Sequence, residues 1–140
     1  VPGVIRAILR GRAPIIRSDG TPERDYLYVG DAAAAYLLLA ERSGETGIVG
    51  RAFNFGWGQP ISAMALVERI LSAAGSSLRP EVLGRNNGEI NRQFLDSSCA
   101  RDVLQWQPHV ALADGLARTI AWYDDYLRAA EPHDMAAGVR

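Results

Sequence analysis

Apolar positions along this chain recur at helical spacing in some stretches and in short extended runs in others. The pattern predicts helices over 2–11, 31–43, 62–75, 97–104 and 112–127, and strands over 14–17, 24–29, 51–55 and 79–83. Alternating helices and short strands indicate the α/β class. Because only four short strands are visible, the pattern favours part of a larger α/β domain over a complete three-layer sheet.

The segment 19–31, DGTPERDYLYVGD, organises this pattern. A Gly/Pro turn opens it, the opposite charges of Arg24 and Asp25 follow, and four apolar or aromatic residues complete a predicted strand. The period of two places Arg24 and Tyr26 on one face. Asp31 is predicted to be the N-cap of the next helix. The polar end of this strand is therefore expected at a rim that faces solvent or a ligand.

Composition narrows the class of protein. The 140 residues are 48% apolar and 22% charged with a net charge of −1, which is typical of a globular domain and predicts no bulk attraction to nucleic acid or anionic membranes. No apolar run approaches ~18 residues, so no membrane span is predicted. We expect a cytoplasmic protein, one globular domain over 1–129 and a disordered tail over 130–140.

The reactive side chains exclude several kinds of chemistry. All 15 basic residues are Arg and none is Lys, so no mechanism that needs a catalytic Lys runs on this chain alone. The single Cys99 excludes an internal disulfide, and His109 and His133 lie in no metal-ligand spacing. We therefore predict no metal site. Gly56-Trp57-Gly58 lacks the third glycine of a dinucleotide fingerprint, so it is interpreted as a strand-to-helix turn.

Anion binding by Arg remains as a candidate chemistry. Arg24 lies at the strand rim, Arg17 seven residues earlier, and Arg85 or Arg92 flanks the polar loop 84–91. A guanidinium offers a planar fork of donors that matches a phosphate. These residues could converge on one phosphate group. The alternative is that Arg24 pairs with Asp25 or another carboxylate near the surface.

Motifs in a consistent order resemble a known family over about residues 1–127. These motifs are Pro2-Gly3, Gly20 and the segments 14–17, 24–31, 53–62, 88–108 and 115–123. With them, the chain resembles the C-terminal part of the extended short-chain dehydrogenases/reductases, most closely the nucleotide-sugar epimerases and dehydratases, and within them the CDP-glucose 4,6-dehydratases.

The resemblance implies a fold and an activity. The expected fold is the last strand and helix of a Rossmann core plus the small substrate-binding subdomain. NAD, the catalytic Tyr-x-x-x-Lys pair and the dehydration chemistry would belong to a missing N-terminal part, so no catalytic or NAD-binding residue is expected here. The parent enzyme would be a homodimer, and this part alone would be inactive.

The resemblance also implies roles for residues of this part. Arg24 would bind the diphosphate of an NDP-sugar, Ile16 and Arg17 would line the nucleotide base, and the loop from Arg85 to Glu89 would close over the diphosphate and ribose. Many relatives have an Arg where this chain has Asn86, so Arg85 or Arg92 is the expected second phosphate ligand.

Two alternative functions stay open. One is an NDP-sugar 4-epimerase or decarboxylase of the same family, because the residues that decide between these reactions would lie outside this stretch. The other belongs to a different class, a stand-alone NDP-sugar-binding module without catalysis.

Overall fold

Helices alternate with short strands along the chain, as the apolar pattern predicts. The computed structural model describes residues 1–85 and 88–130. Its elements, in order, are α1 (Pro2–Leu9), β1 (Ile15–Ile16), β2 (Glu23–Arg24), α2 (Val29–Glu41), β3 (Ile61–Ser62), α3 (Ala63–Ala73), β4 (Glu81–Val82), β5 (Arg92–Gln93), α4 (Ser98–Leu104) and α5 (Leu112–Ala130). The α/β class is confirmed.

Local signals set where these helices begin. Pro2 occupies the first turn of α1, where its missing N–H costs nothing. The Ser62 hydroxyl accepts a hydrogen bond from the Ala65 N–H (3.1 Å), so the predicted cap of α3 is confirmed. At α4, Ser97 instead donates its hydroxyl to the Gly56 carbonyl (3.1 Å), and the Asp96 carboxylate accepts the Ser98 N–H (2.9 Å).

The strands form two small sheets. In the first, β1 pairs with β4 in parallel. In the second, β2 is central, antiparallel to β3 on one side and parallel to β5 on the other. Arg24 lies opposite Ile61 in one ladder and Gln93 in the other. The backbone of Arg24, in the central strand, is thus paired with a neighbouring strand on both sides.

Two apolar clusters form the core of the described residues. The first joins α1, β1, α3 and α5 through residues that include Ile5, Ile16 and Ile70, which are 1%, 4% and 0% exposed. The second joins α2 and α4 around Trp106, whose ring meets that of Phe55 edge-on with centroids 4.9 Å apart. Residues 1–16 and the sheet they carry are therefore fixed by the first cluster.

The predicted strand 24–29 is too long, and the predicted cap at Asp31 is wrong. The strand pairs only over β2, and α2 already begins at Val29 with Tyr28 as its N-cap. Asp31 lies buried in the first turn, where its carboxylate accepts the N–H groups of His109 (3.2 Å) and Val110 (3.0 Å). A tertiary contact to the segment before α5 therefore replaces the local capping bond.

Three smaller differences from the predicted elements appear. Residues 51–55 pair with no strand in the described part of the chain, whereas β3 and β5 were not predicted. The last helix continues through Ala130, beyond its predicted end at 127. The remainder of the predicted tail, 131–140, and Asn86 lie outside the described residues.

Helix α2 is apolar on both faces. Its inner side carries Ala35, which is 1% exposed, whereas its outer side shows Tyr36 and Leu37 at 76% and 65% exposure. An outer stripe without charge runs along helical spacing at positions 29, 33, 36, 37 and 40. A helix that is apolar all round is characteristic of one covered on both sides.

The described residues contain neither a helix that could cross a membrane nor a cluster of metal ligands. No helix in the ranges 1–85 and 88–130 combines the length and apolarity needed to cross a membrane. Within the same ranges, no group of three His, Cys, Asp or Glu side chains is arranged to hold a metal ion.

The outer stripe of α2 yields a test of whether the chain is part of a larger domain. We expect the isolated 140-residue chain to be weakly folded and to bind a hydrophobic dye, because the stripe is uncovered. Leu37→Glu should lower dye binding by the isolated chain. In a longer protein that covers the stripe, the same substitution should lower the free energy of unfolding by about 2 kcal/mol or more, because it buries a charge. Dye fluorescence and urea denaturation measure the two effects.

Val82→Glu provides the control, because Val82 is an apolar residue exposed elsewhere, on β4. It should leave the longer protein within about 0.5 kcal/mol of the parent. A cooperative, high-temperature unfolding transition of the isolated chain would contradict the prediction.

Candidate functional site

A tight turn leads the chain into the rim of β2. Gly20 has a φ of 88°, a conformation that favours glycine, and its N–H donates to the Ser18 hydroxyl (3.2 Å). Asp19 accepts hydrogen bonds from the N–H (2.9 Å) and the hydroxyl (2.7 Å) of Thr21. The Thr21 N–H bond, and then its hydroxyl bond, hold the pKa of the Asp19 carboxyl below its ordinary value. The turn thus sets where β2 begins.

Asp25 fixes the other end of β2 by crossing to a different segment. One carboxylate oxygen accepts the Trp57 N–H (3.2 Å) and the other accepts the Gly58 N–H (2.9 Å). A Cβ placed on Gly56 would collide with this carboxylate, so a larger residue there would displace Asp25 from these bonds. The carboxylate occupies backbone donors that a phosphate would otherwise need. This glycine turn therefore does not fit a dinucleotide.

Arg24 does not pair with its neighbour Asp25. Its Nη1 donates to the main-chain oxygens of Glu23 (2.7 Å) and Ile90 (2.8 Å), so the guanidinium lies against the segment that carries Glu89. Among the described residues, its Nε and Nη2 have no acceptor. Arg24 is thus anchored by one nitrogen and keeps the three N–H donors of Nε and Nη2 for a ligand.

Four of the predicted site residues line one cleft. Ile16, Arg17, Arg24 and Glu89 border a cavity of about 280 Å³ between β1, β2 and α3, called here the Arg24 cleft. Two cations and one carboxylate give this lining a positive balance. Such a balance suits a ligand that carries more than one negative charge.

The other predicted residues lie outside this cleft. The Arg85 N–H donates to the Arg17 carbonyl (2.8 Å), which brings their backbones together, but the Arg85 side chain does not line the cavity. Arg92 forms an ion pair with Glu23 (2.9 Å), and its guanidinium lies 5.2 Å from the centroid of the Phe94 ring. A role for either in phosphate binding stays a prediction, as does that of Asn86.

Two residues that line the cleft, Ile15 and Tyr26, were not predicted from the sequence to contact a ligand. Ile16 is buried in the core, whereas Ile15 is 55% exposed and offers the apolar surface of β1. Tyr26 lines the cleft as well, and burial raises the pKa of its hydroxyl despite the nearby Arg24. The sequence did contain a signal for Tyr26. It lies two residues after Arg24, and the alternation of a strand places both side chains on one face.

Comparisons with known proteins identify the family. The model of the NAD dependent epimerase/dehydratase family matches residues 1–56. UDP-glucose 4-epimerase of Mycolicibacterium smegmatis is 38% identical over 117 residues, which are 84% of this chain and 36% of that protein. dTDP-glucose 4,6-dehydratase of Streptomyces griseus is 32% identical over 133 residues, covering 94% of this chain and 39% of that protein.

Solved structures agree with the sequence comparisons. The crystal structure of UDP-glucose 4-epimerase from Thermotoga maritima with UDP-glucose superposes with a TM-score of 0.79 at 30% identity, covering 89% of this chain and 38% of that one. The chain belongs to the NAD dependent epimerase/dehydratase family and has the fold of part of an extended short-chain dehydrogenase/reductase. It spans less than two-fifths of the length of the two curated relatives.

The bridge made by Asp25 can be tested by stability. Asp25→Asn should destabilise the protein by about 1–3 kcal/mol, because one of the two backbone N–H groups then faces an amide donor. Urea denaturation of the natural protein that carries this chain measures the loss of stability. Asp102→Asn is the matched control, since Asp102 is exposed on α4. Equal midpoints for the two variants would contradict the assignment.

Proposed function

We propose that this chain is the nucleotide-sugar-binding portion of an NAD-dependent NDP-sugar epimerase or dehydratase. The observation that carries the proposal is the convergence of Arg17 and Arg24 on one cleft with Glu89 at its border. The Thermotoga maritima relative, solved with UDP-glucose, supports an NDP-sugar as the ligand. The cofactor and the reacting groups are assigned to another part of the protein, because the backbone donors of the glycine turn at 56–58 are already bonded to Asp25.

In this proposal Arg24 binds the diphosphate. Nη1 stays on the carbonyls of Glu23 and Ile90, and the remaining donors of the guanidinium reach phosphate oxygens. Arg17 adds the second positive charge across the cleft. Contacts to the diphosphate are remote from the sugar carbon that reacts, so their binding energy positions the sugar for chemistry elsewhere.

Glu89 has a role compatible with the anionic ligand. A carboxylate at the border of the cleft repels phosphate but accepts hydrogen bonds from ribose hydroxyl groups. We assign Glu89 to the ribose for that reason.

The protein is further proposed to act in the cytoplasm as a homodimer.

Two reactions of this family are candidates for the whole protein. A 4-epimerase is favoured by the 38% identity to the Mycolicibacterium smegmatis enzyme, and a 4,6-dehydratase by the 32% identity to the Streptomyces griseus enzyme over more of the chain. The resemblance to CDP-glucose 4,6-dehydratases remains a prediction about the base. A stand-alone NDP-sugar-binding module without catalysis is the third possibility.

The products of the natural protein that carries this chain separate these possibilities. Incubated with NAD and UDP-glucose, dTDP-glucose or CDP-glucose, a 4-epimerase yields an isomer of unchanged mass, whereas a 4,6-dehydratase yields a product lighter by one water. We expect one of these two products by liquid chromatography and mass spectrometry. Binding without any product would instead favour the non-catalytic module.

The diphosphate role of Arg24 predicts a kinetic effect. Arg24→Ala in the natural protein should raise KM by about one to three decades, equivalent to roughly 1.5–4 kcal/mol for a charged contact. Arg24→Lys should recover part of the loss, since it restores charge but not the fork. Steady-state kinetics with the reactive NDP-sugar measures both.

Arg79→Ala is the matched control, because Arg79 is exposed and outside the cleft. It should leave KM unchanged. A KM that is also unchanged in Arg24→Ala would reduce Arg24 to a structural link between β2 and Ile90, and unfolding curves would then carry its whole effect.

A further inference from the structure

The 88–92 segment links two of the residues that border the Arg24 cleft. Glu89 lines the cleft from this segment. The next residue, Ile90, offers its carbonyl to the Nη1 atom of Arg24 (2.8 Å). Arg24 is therefore anchored on the same stretch of backbone that carries Glu89, and the position of this segment determines where both side chains lie.

Glu23 holds the end of this segment through its backbone and its side chain. Its N–H donates to the Asn91 carbonyl (2.7 Å). In the parallel ladder of β2 and β5 it lies opposite Arg92, and the Arg92 Nε is 2.9 Å from its carboxylate oxygen Oε2. The Arg92 guanidinium also lies 5.2 Å from the centroid of the Phe94 ring, where cation–π attraction holds it further. The ion pair thus joins β5 to β2 beside the cleft.

The rest of the 88–92 segment has little else to hold it. All five of its residues are exposed, and neither apolar cluster includes any of them. A segment without buried apolar contacts opens more easily than the core, so its position depends on its bonds to β2. An exposed ion pair contributes little to the stability of a whole fold. Here, however, its contribution acts on one weakly held segment.

We propose that the Glu23–Arg92 ion pair positions the 88–92 segment at the Arg24 cleft, which makes Glu23 a positioning residue for nucleotide-sugar binding. A segment that is already in place loses less conformational freedom when the ligand binds. The inference rests on the proposed function, which assigns Arg24 to the diphosphate and Glu89 to the ribose. It also assigns the Arg92 guanidinium to Glu23 rather than to a phosphate.

Charge reversal in the natural protein that carries this chain tests the pair. Glu23→Arg and Arg92→Glu each place like charges across the ladder, and each should raise the KM for the reactive NDP-sugar by about threefold or more. The double variant restores opposite charges and should return KM to within about twofold of the parent. The kcat should stay near the parent value throughout, because the contacts act on binding.

The Glu23→Arg variant is informative because it adds a positive charge near an anionic ligand. General electrostatic attraction would lower KM in this variant, whereas loss of the positioned segment raises it. Steady-state kinetics distinguishes the two. For a module that binds without turnover, the Kd from isothermal titration takes the place of KM.

Asp124 and Arg128 on α5 provide a matched control. They form an ion pair of similar exposure (2.8 Å), and neither residue lines the Arg24 cleft. Asp124→Arg should therefore leave both KM and kcat at the parent values.

The outcomes separate this inference from the proposed function. A raised KM in each single variant that recovers in the double variant supports it. An unchanged KM in the single variants overturns it, as does a fall in kcat at constant KM, which indicates loss of folded protein. A KM that stays high in the double variant places Arg92 on the ligand and also overturns it. Failure of the parent to bind any NDP-sugar overturns the proposed function and the inference with it.

Discussion

The carboxylate of Asp25 is the contact on which the rest of the site depends. It joins β2 to the glycine turn through the N–H groups of Trp57 and Gly58, and it does so beside Arg24 in the sequence. Because Asp25 is committed to backbone donors, it does not neutralise Arg24. Adjacent opposite charges, which would pair on an open surface, thus have separate tasks: one holds the fold together, and the other remains available to an anion.

Much of the framework could be predicted from local signals, because helix spacing and capping act within a few residues. Ser62 caps α3 as its position indicates, and Arg17 and Arg24 meet in one cleft. Asp31 shows where local reasoning ends. An Asp before an Ala-rich run is a good N-cap on propensity, yet its partners lie 78 and 79 residues away. No local pattern encodes such a contact, so tertiary packing decides it.

The side chains that border the cleft were harder to predict than its strands. A two-residue strand leaves the choice of face to packing. On β1, Ile16 packs into the core, whereas Ile15 is exposed and borders the Arg24 cleft. A shift of one residue exchanges the two faces of a strand. The sequence shows two adjacent isoleucines with equal propensity, so only the neighbours contributed by α1 and α3 distinguish them.

The side chains that border the Arg24 cleft relate these local facts to the kind of ligand it suits. Arg17 and Arg24 bring two positive charges to the cleft, and Glu89 brings one carboxylate. Guanidinium groups donate hydrogen bonds and accept none, whereas a carboxylate accepts them, so the cleft offers partners for both the anionic and the hydroxyl groups of a ligand. Arg24 is free to take part because Asp25 bonds to the backbone of the glycine turn instead of to its neighbour. The hydrogen bonds that hold β2 in place are therefore also what leaves Arg24 available to an anion.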